Sequence, residues 1–154
     1  MKRDSRLSGA LHVLLHLAEA DAPMTSERLA KAMATNPVVV RRVMAGLRDE
    51  GLVASEKGHG GGWTLTCNLS KTTLRDVYQA LGHPPLFGMG HRNEASQCAV
   101  EQAVNAALGD ALDAAEAVLL DRFGNVTLAD LSRDFHERMV ARPDLGKADS
   151  YADH

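Results

Sequence analysis

The sequence predicts a mainly α-helical chain that carries one small β-hairpin and one long helix. Three observations lead there. Apolar residues recur at helical spacing through the first half of the chain. The run Lys57-Gly58-His59-Gly60-Gly61-Gly62 separates two short segments of strand-forming residues. An alanine-rich stretch over 96–123 keeps near-heptad spacing with no proline to interrupt it.

Over 5–20, Leu7, Leu11, Leu14, Leu15 and Ala18 mark one face of a first helix, which Asp21-Ala22-Pro23 ends. Thr25 suits the N-cap of a short second helix over 26–33. Met24 and Leu29 stand where a hydrophobic staple would place them. Thr35-Asn36-Pro37 breaks that helix and opens a third. Asn36 suits the cap, and Pro37 suits a first turn that needs no N–H. Val40, Val43, Met44 and Leu47 form the inward stripe of the third helix, which Gly51 stops. Val38, Val39, Arg41, Arg42 and Arg48 are left on or near its other face. Two helices joined by a three-residue break, the second bearing arginines, make a helix-turn-helix pattern. Segments 52–56 and 63–67 flank the glycine-rich turn, so a hairpin follows the recognition helix directly. Such a hairpin is a wing.

Thr73-Leu74-Arg75-Asp76 has capping-box spacing and opens a fourth helix with Leu74, Val77, Tyr78 and Leu81 on its apolar face. A Gly/Pro/His-rich linker without periodicity covers 83–95. The long helix then presents Val100, Val104, Ala107, Ala111, Ala114 and Val118, widened by Leu108, Leu112, Ala115 and Leu119. At about 1.5 Å per residue it is roughly 40 Å long, more than one small head can cover. Pairing with a second copy about a two-fold axis is the simplest cover, so a homodimer is expected. Gly124-Asn125 ends this helix and a short one follows over 127–139. The expected division is a winged head over 1–82, the linker over 83–95, a dimerisation segment over 96–140, and a disordered tail over 141–154.

The composition narrows the function. Hydrophobic residues at 45% and charged residues at 24% place the chain among folded globular proteins. No run approaches the roughly 18 apolar residues of a membrane span. The apolar run after Met1-Lys2-Arg3 is broken by Gly9, His12, His16 and Glu19, as in an amphipathic helix and not a cleavable signal. Two cysteines make no disulfide framework, so a cytoplasmic location is expected. The net charge of −3 divides into +2 over 1–66 (9 Lys/Arg, 7 Asp/Glu) and −5 over 67–154 (8 and 13). The front of the chain is thus the end suited to phosphate.

An enzyme is not expected. His59-Gly60-Gly61-Gly62-Trp63 looks like an esterase oxyanion-hole sequence, but no G-x-S-x-G elbow accompanies it. Walker and dinucleotide fingerprints are absent from the sequence as well. Two classes remain: a DNA-binding regulator, and a dimeric winged-helix adaptor that has lost DNA binding. The retained set of Arg41, Arg42 and Lys57 favours the regulator.

Several separate blocks carry a family resemblance. They are Ser26-Glu27-Arg28-Leu29-Ala30, the run from Asn36 to Arg42, Leu47-Arg48-Asp49-Glu50-Gly51-Leu52-Val53, Gly58-His59-Gly60-Gly61-Gly62-Trp63, and the fourth helix from Thr73 to Leu81. In sequence and spacing they resemble the Rrf-two (Rrf2) family of winged regulators over about residues 1–135. The resemblance implies a homodimer with crossed long helices and two heads reading two half-sites of operator DNA. Repression by promoter occupancy is the usual outcome for such a fold. Carried over, the base-reading face comprises Asn36, Val38, Val39, Arg41 and Arg42. Arginine can fork to a guanine edge, and valine can touch a thymine methyl. Lys57 and His59 on the wing would reach the minor groove or backbone, Gly60 would let main-chain N–H groups approach phosphate, and Ser26 and Arg28 would contact phosphate.

Cluster-binding members of that family place three cysteines at C-x5-C-x5-C spacing in the linker. Here only Cys98 is present. Arg92 and Leu86 stand at the other two positions, and Glu101 stands where one branch has a histidine. An iron–sulfur cluster is therefore not expected. Some members draw a ligand from the first helix of the other subunit, where His12 lies here. The alternative metal set is His12, Cys98, and His91 or Glu101, and His12 and His16 also form an i, i+4 pair acceptable to zinc. The expectation is no metal. If Ser96 caps the long helix, Cys98 sits in its first turn, where the dipole favours a thiolate and an oxidisable sensor. Cys67 reads as structural, and its pairing with Cys98 is a question of geometry. Leu86, Phe87 and Met89 could instead line a small-molecule effector pocket between head and stalk.

Overall fold

A computed structural model describes residues 4–142, and four of its helices begin at capping side chains that the sequence supplies. The order is α1 (Arg6–Glu19), α2 (Ser26–Ala32), α3 (Pro37–Asp49), β1 (Val53–Glu56), β2 (Gly62–Leu65), α4 (Leu74–Ala80), α5 (Ala99–Gly124) and α6 (Leu128–Ala141). Thr25 Oγ1 accepts from the Arg28 N–H at 3.2 Å, and Asn36 Oδ1 accepts from the Val39 N–H at 3.0 Å. Thr73 with Asp76, and Thr127 with Asp130, form full capping boxes. Between α2 and α3 the chain turns at Ala34, whose φ of 50° is left-handed. The Thr35 N–H donates to Ala30 O and the Ala34 N–H to Lys31 O, a Schellman arrangement in which glycine is the usual residue.

The core lies where α1 crosses the helix-turn-helix. Ala10, Val13, Leu14 and Leu17 of α1 join Leu29 of α2, the stripe Val40, Val43, Met44 and Leu47 of α3, and Val77 of α4. Gly46 lets α3 approach α4 closely, since a Cβ there would lie 2.7 Å from the Ala80 carbonyl oxygen.

The hairpin is antiparallel, pairing Val53 with Leu65, Ala54 with Thr64, Ser55 with Trp63 and Glu56 with Gly62. Its turn is therefore one residue shorter than the glycine run suggested, because Gly62 already belongs to β2. The second strand ends before 67. The Thr66 and Cys67 N–H groups both fold back onto Leu52 O, at 3.0 and 3.2 Å. Met24 adds a third edge: its N–H donates to Trp63 O at 3.0 Å and its carbonyl accepts the Trp63 N–H at 2.8 Å. That approach requires glycine at 62, where φ is 151° and a Cβ would lie 2.6 Å from Met24 O.

α5 is capped by Cys98 and not by Ser96 as expected; Ser96 Oγ instead accepts the Cys98 N–H at 3.1 Å. Its far end rests on α4, with Phe123 and Tyr78 ring centroids 6.4 Å apart. The linker doubles back along its near end. Asn105 Nδ2 donates to Asn93 O at 2.8 Å, Gln102 Nε2 donates to Ser96 O at 3.0 Å, and His91 lies against Gly109. The predicted apolar stripe stays uncovered, with Val100, Val104 and Val118 73%, 50% and 64% exposed.

α6 differs from the expected division of the chain. It returns to the head, where Leu128 is fully buried in the core. The Leu74 N–H donates to Val126 O at 3.0 Å, the Leu128 N–H to Thr72 O at 2.9 Å and the Ala129 N–H to Leu69 O at 2.9 Å. A buried apolar residue and three main-chain bonds tie 126–129 to the head and not to the stalk. The helix also runs through Ala141, and the rest of the expected tail, 143–154, lies outside the described residues.

Candidate nucleic-acid interface

The amphipathic order of α3 decides what it can present. Burying Val40, Val43, Met44 and Leu47 turns Val38, Arg41 and Arg42 outward, with Val39 flanking them; Val38 is 61% and Val39 41% exposed. Exposed aliphatic side chains at a helix N-terminus, beside two arginines, match a surface that meets thymine methyls and guanine edges. Asn36 is exposed but spends its side-chain oxygen on the cap, which leaves its amide nitrogen for outside contact.

Arg41 is held by a neighbour that sequence reasoning missed. Its Nη2 donates to Glu27 Oε1 at 2.7 Å, across the corner between α3 and α2. The two residues are 14 positions apart. No local spacing rule reports such a pair.

Ser26 departs from its expected role. It is buried, and its hydroxyl oxygen accepts the Trp63 indole N–H at 3.0 Å. It therefore fixes the wing to α2 instead of offering its side chain to phosphate. Arg28, beside it, is exposed. On the wing, Lys57, His59 and Gly60 are all exposed in the turn beyond β1. The Gly61 N–H closes that turn by donating to Gly58 O at 3.0 Å.

The alternative metal set does not assemble within one chain. Among the described residues no three His, Cys, Asp or Glu side chains come together. His12 stacks on His16, their Nε2 atoms 2.8 Å apart. His91 buries an unpartnered Nδ1 against the long helix, and Glu101 meets Cys98 through its backbone. The donors likewise do not fit a cluster on three cysteines. Cys67 and Cys98 are free thiols in different settings. Burial pushes the Cys67 thiol up, whereas the Glu101 and Val100 N–H groups at the start of α5 hold the exposed Cys98 thiol below its ordinary value.

The three residues expected to line an effector pocket between head and stalk do not share a cavity. Leu86 lines a cavity of about 100 Å³ with Asp4, Leu7, Tyr78, Pro84 and Pro85. That is below the roughly 300–1,000 Å³ of small-molecule sites. Phe87 and Met89 stand outside it and are exposed.

A helix-turn-helix followed by a hairpin wing, with arginines on the outward face of the second helix, defines a winged helix-turn-helix DNA-binding protein. Residues 3–134 match the Rrf2 family, described as an iron-dependent transcriptional regulator, and the chain belongs to that family. The protein is accordingly a DNA-binding transcription regulator, in a family of regulators and not of enzymes. Among its relatives is YwnA of Bacillus subtilis, an HTH-type transcriptional regulator by name. The two are 28% identical over 128 residues, which cover 83% of this chain and 95% of YwnA. A transcriptional-regulator structure from Lactobacillus plantarum superposes with a TM-score of 0.72 at 24% identity, over 94% of this chain and 98% of that one. IscR of T. potens superposes with a TM-score of 0.64 at 18% identity, over 90% of each chain. At those identities the structural matches establish the fold. Among the described residues no helix is long and apolar enough to cross a membrane.

Proposed function

We propose that the protein is a homodimeric repressor whose two α5 helices pair along the Val100–Val118 stripe and so set two heads at the spacing of two operator half-sites. The observation that carries this reading is α5 itself. It has 26 residues, none of them buried, and a continuous apolar stripe facing away from its own head. A helix of that kind is stable once another apolar face covers it, and a second copy supplies an identical face. Each head then offers Val38, Val39, Arg41 and Arg42 to the major groove, with Lys57, His59 and Gly60 at the backbone or minor groove. The amide of Asn36 joins that reading face, and Arg28 contributes a phosphate contact.

The sensing element in this reading is Cys98, without an iron–sulfur cluster, because Arg92 and Leu86 cannot replace thiolate ligands. Peroxide transfers one oxygen to the Cys98 thiolate, giving a sulfenate and water, at the junction of linker and long helix. The test combines four measurements: solution mass, mobility shift on the DNA upstream of its own gene, the same shift after peroxide for the wild type and C98S, and a promoter reporter with the gene present and deleted. The reading expects two chains per bound duplex, raised expression of a promoter reporter on deletion, and a peroxide effect that C98S abolishes. Monomeric binding would remove the dimer, lowered expression on deletion would remove the repressor, and an unchanged peroxide response in C98S would remove the sensor.

A further inference from the structure

We propose that Glu27 is a specificity-determining positioning residue, holding the Arg41 guanidinium so that it reads a guanine edge and staying its attraction to the phosphate backbone. The inference rests on the DNA-binding reading of α3.

The pair is not explained by stability. Both side chains are more than half exposed, 54% for Arg41 and 61% for Glu27. Ion pairs in such positions contribute about 0–1 kcal/mol. Glu27 does suit the first turn of α2, where the helix dipole favours an acid. That preference does not require it to reach Arg41. A carboxylate on a face that approaches phosphates weakens general attraction to DNA, so its presence there calls for a compensating role.

Geometry supplies one. Glu27 occupies a single nitrogen of the fork, Nη2. Nη2 carries two N–H groups, so the second one, with the adjacent N–H of Nη1 or Nε, stays available as a fork for the paired bonds to guanine O6 and N7. A tethered arginine has already given up much of its rotamer freedom, so less entropy is lost when it docks. The tether also opposes the commonest competing use of an arginine in that place, a swing onto phosphate. Arg42, the next residue, makes no ion pair among the described residues, which leaves it the freer of the two for backbone contact.

The experiment uses the full chain and a duplex selected from a random library by the wild-type protein, beside a scrambled duplex of equal length. Each guanine of the selected site is replaced in turn by 7-deazaguanine, which removes the N7 acceptor. Affinities are measured over a salt series for the wild type, E27Q, E27D, R41K and the E27Q/R41K double variant. For the wild type, one deaza substitution is expected to cost about tenfold. In E27Q that cost falls to about twofold or less, scrambled DNA binds more tightly, and its log–log salt slope steepens by about 0.9 as Arg41 becomes one more phosphate contact. E27D keeps the charge and restores part of the deaza penalty. In the R41K background, E27Q no longer changes the deaza penalty, which shows that its effect on base reading acts through Arg41. The proposal is overturned if E27Q tightens selected, deaza-substituted and scrambled duplexes by one common factor, since that is simple repulsion. It is equally overturned if the deaza penalty is unchanged in both E27Q and E27D. Failure of the wild type to bind any duplex would overturn the DNA-binding reading itself, a result separate from either of these.

Discussion

Replacing Val104 by glutamate tests whether α5 is the seam between two subunits. Val100, Val104, Leu108 and Val118 are 73%, 50%, 36% and 64% exposed, about two whole aliphatic side chains per subunit. Burying one such side chain is worth about 1.5–3 kcal/mol, so the stripe offers a pair roughly 6–12 kcal/mol. Association costs an estimated 4–15 kcal/mol in lost freedom, a cost of the same order, so pairing depends on each contact of the stripe. V104E removes an apolar contact from each subunit and brings two carboxylates into a dry seam. Desolvating an unpaired ion costs several kcal/mol. A loss of at least about 4 kcal/mol per dimer weakens the dissociation constant by roughly a thousandfold. Sedimentation velocity from nanomolar to micromolar protein reads this directly. Circular dichroism should keep the signal of the head, because Val104 is exposed on its own protomer and supports nothing there, with any loss confined to the uncovered α5. Operator affinity should fall as well, since the second head no longer binds as a tethered partner. A V104E protein with the wild-type dissociation constant would refute the reasoning and place the seam elsewhere.

Three further perturbations address other links of the argument. Ala34→Gly should stabilise the protein by roughly 0.5–1 kcal/mol, because glycine reaches the left-handed φ of the helix-turn-helix corner without a Cβ penalty; chemical denaturation checks this, and a loss of stability would count against the corner geometry. Leu128→Ala should cost about 2–5 kcal/mol in the same assay, as for other buried leucines; a near-zero effect would return α6 to the stalk. Alkylation followed by peptide mapping over a pH series should show Cys98 becoming reactive at lower pH than Cys67. N–H groups favour the Cys98 thiolate and burial disfavours that of Cys67, and rate follows thiolate fraction. Coincident profiles would remove the electrostatic basis for a sensor at Cys98.

The parts of this fold that were legible in the sequence depend on neighbours a few residues away. The stripe Val40, Val43, Met44, Leu47 is a helical period, and all four are buried. Thr25, Asn36 and Thr73 are caps because a side-chain oxygen can reach the third N–H beyond it, a constraint internal to four residues. The parts that were not legible depend on partners far along the chain. Ser26 looks like a phosphate ligand until Trp63, 37 positions away, takes its hydroxyl. Glu27 looks like an ordinary first-turn acid until Arg41 is folded against it. Leu128 follows a long helix whose sequence pattern points to a stalk, and only the return of the chain brings it to the head core. Cys98 was misplaced by two residues for a local reason, since Ser96 is the better cap by residue type but its hydroxyl accepts the Cys98 N–H, two residues on, ahead of the helix.

The linker ties these observations together. Its path is set by side chains of α5, with Asn105 on the Asn93 carbonyl and Gln102 on the Ser96 carbonyl, and by the packing of His91 on Gly109. Each of those hydrogen bonds is neutral and exposed, and a neutral bond contributes about 1 kcal/mol net. The attachment is thus of the same order as the 1–3 kcal/mol over which ligands typically couple distant sites. A covalent change at Cys98, two residues beyond Ser96, acts where that attachment ends and where the helix begins. The same place lies between a head fixed by a buried core and a helix whose free face awaits a partner. In the proposed dimer, a modest local change there would alter how the two heads are spaced without unfolding either, the property that the proposed switch needs.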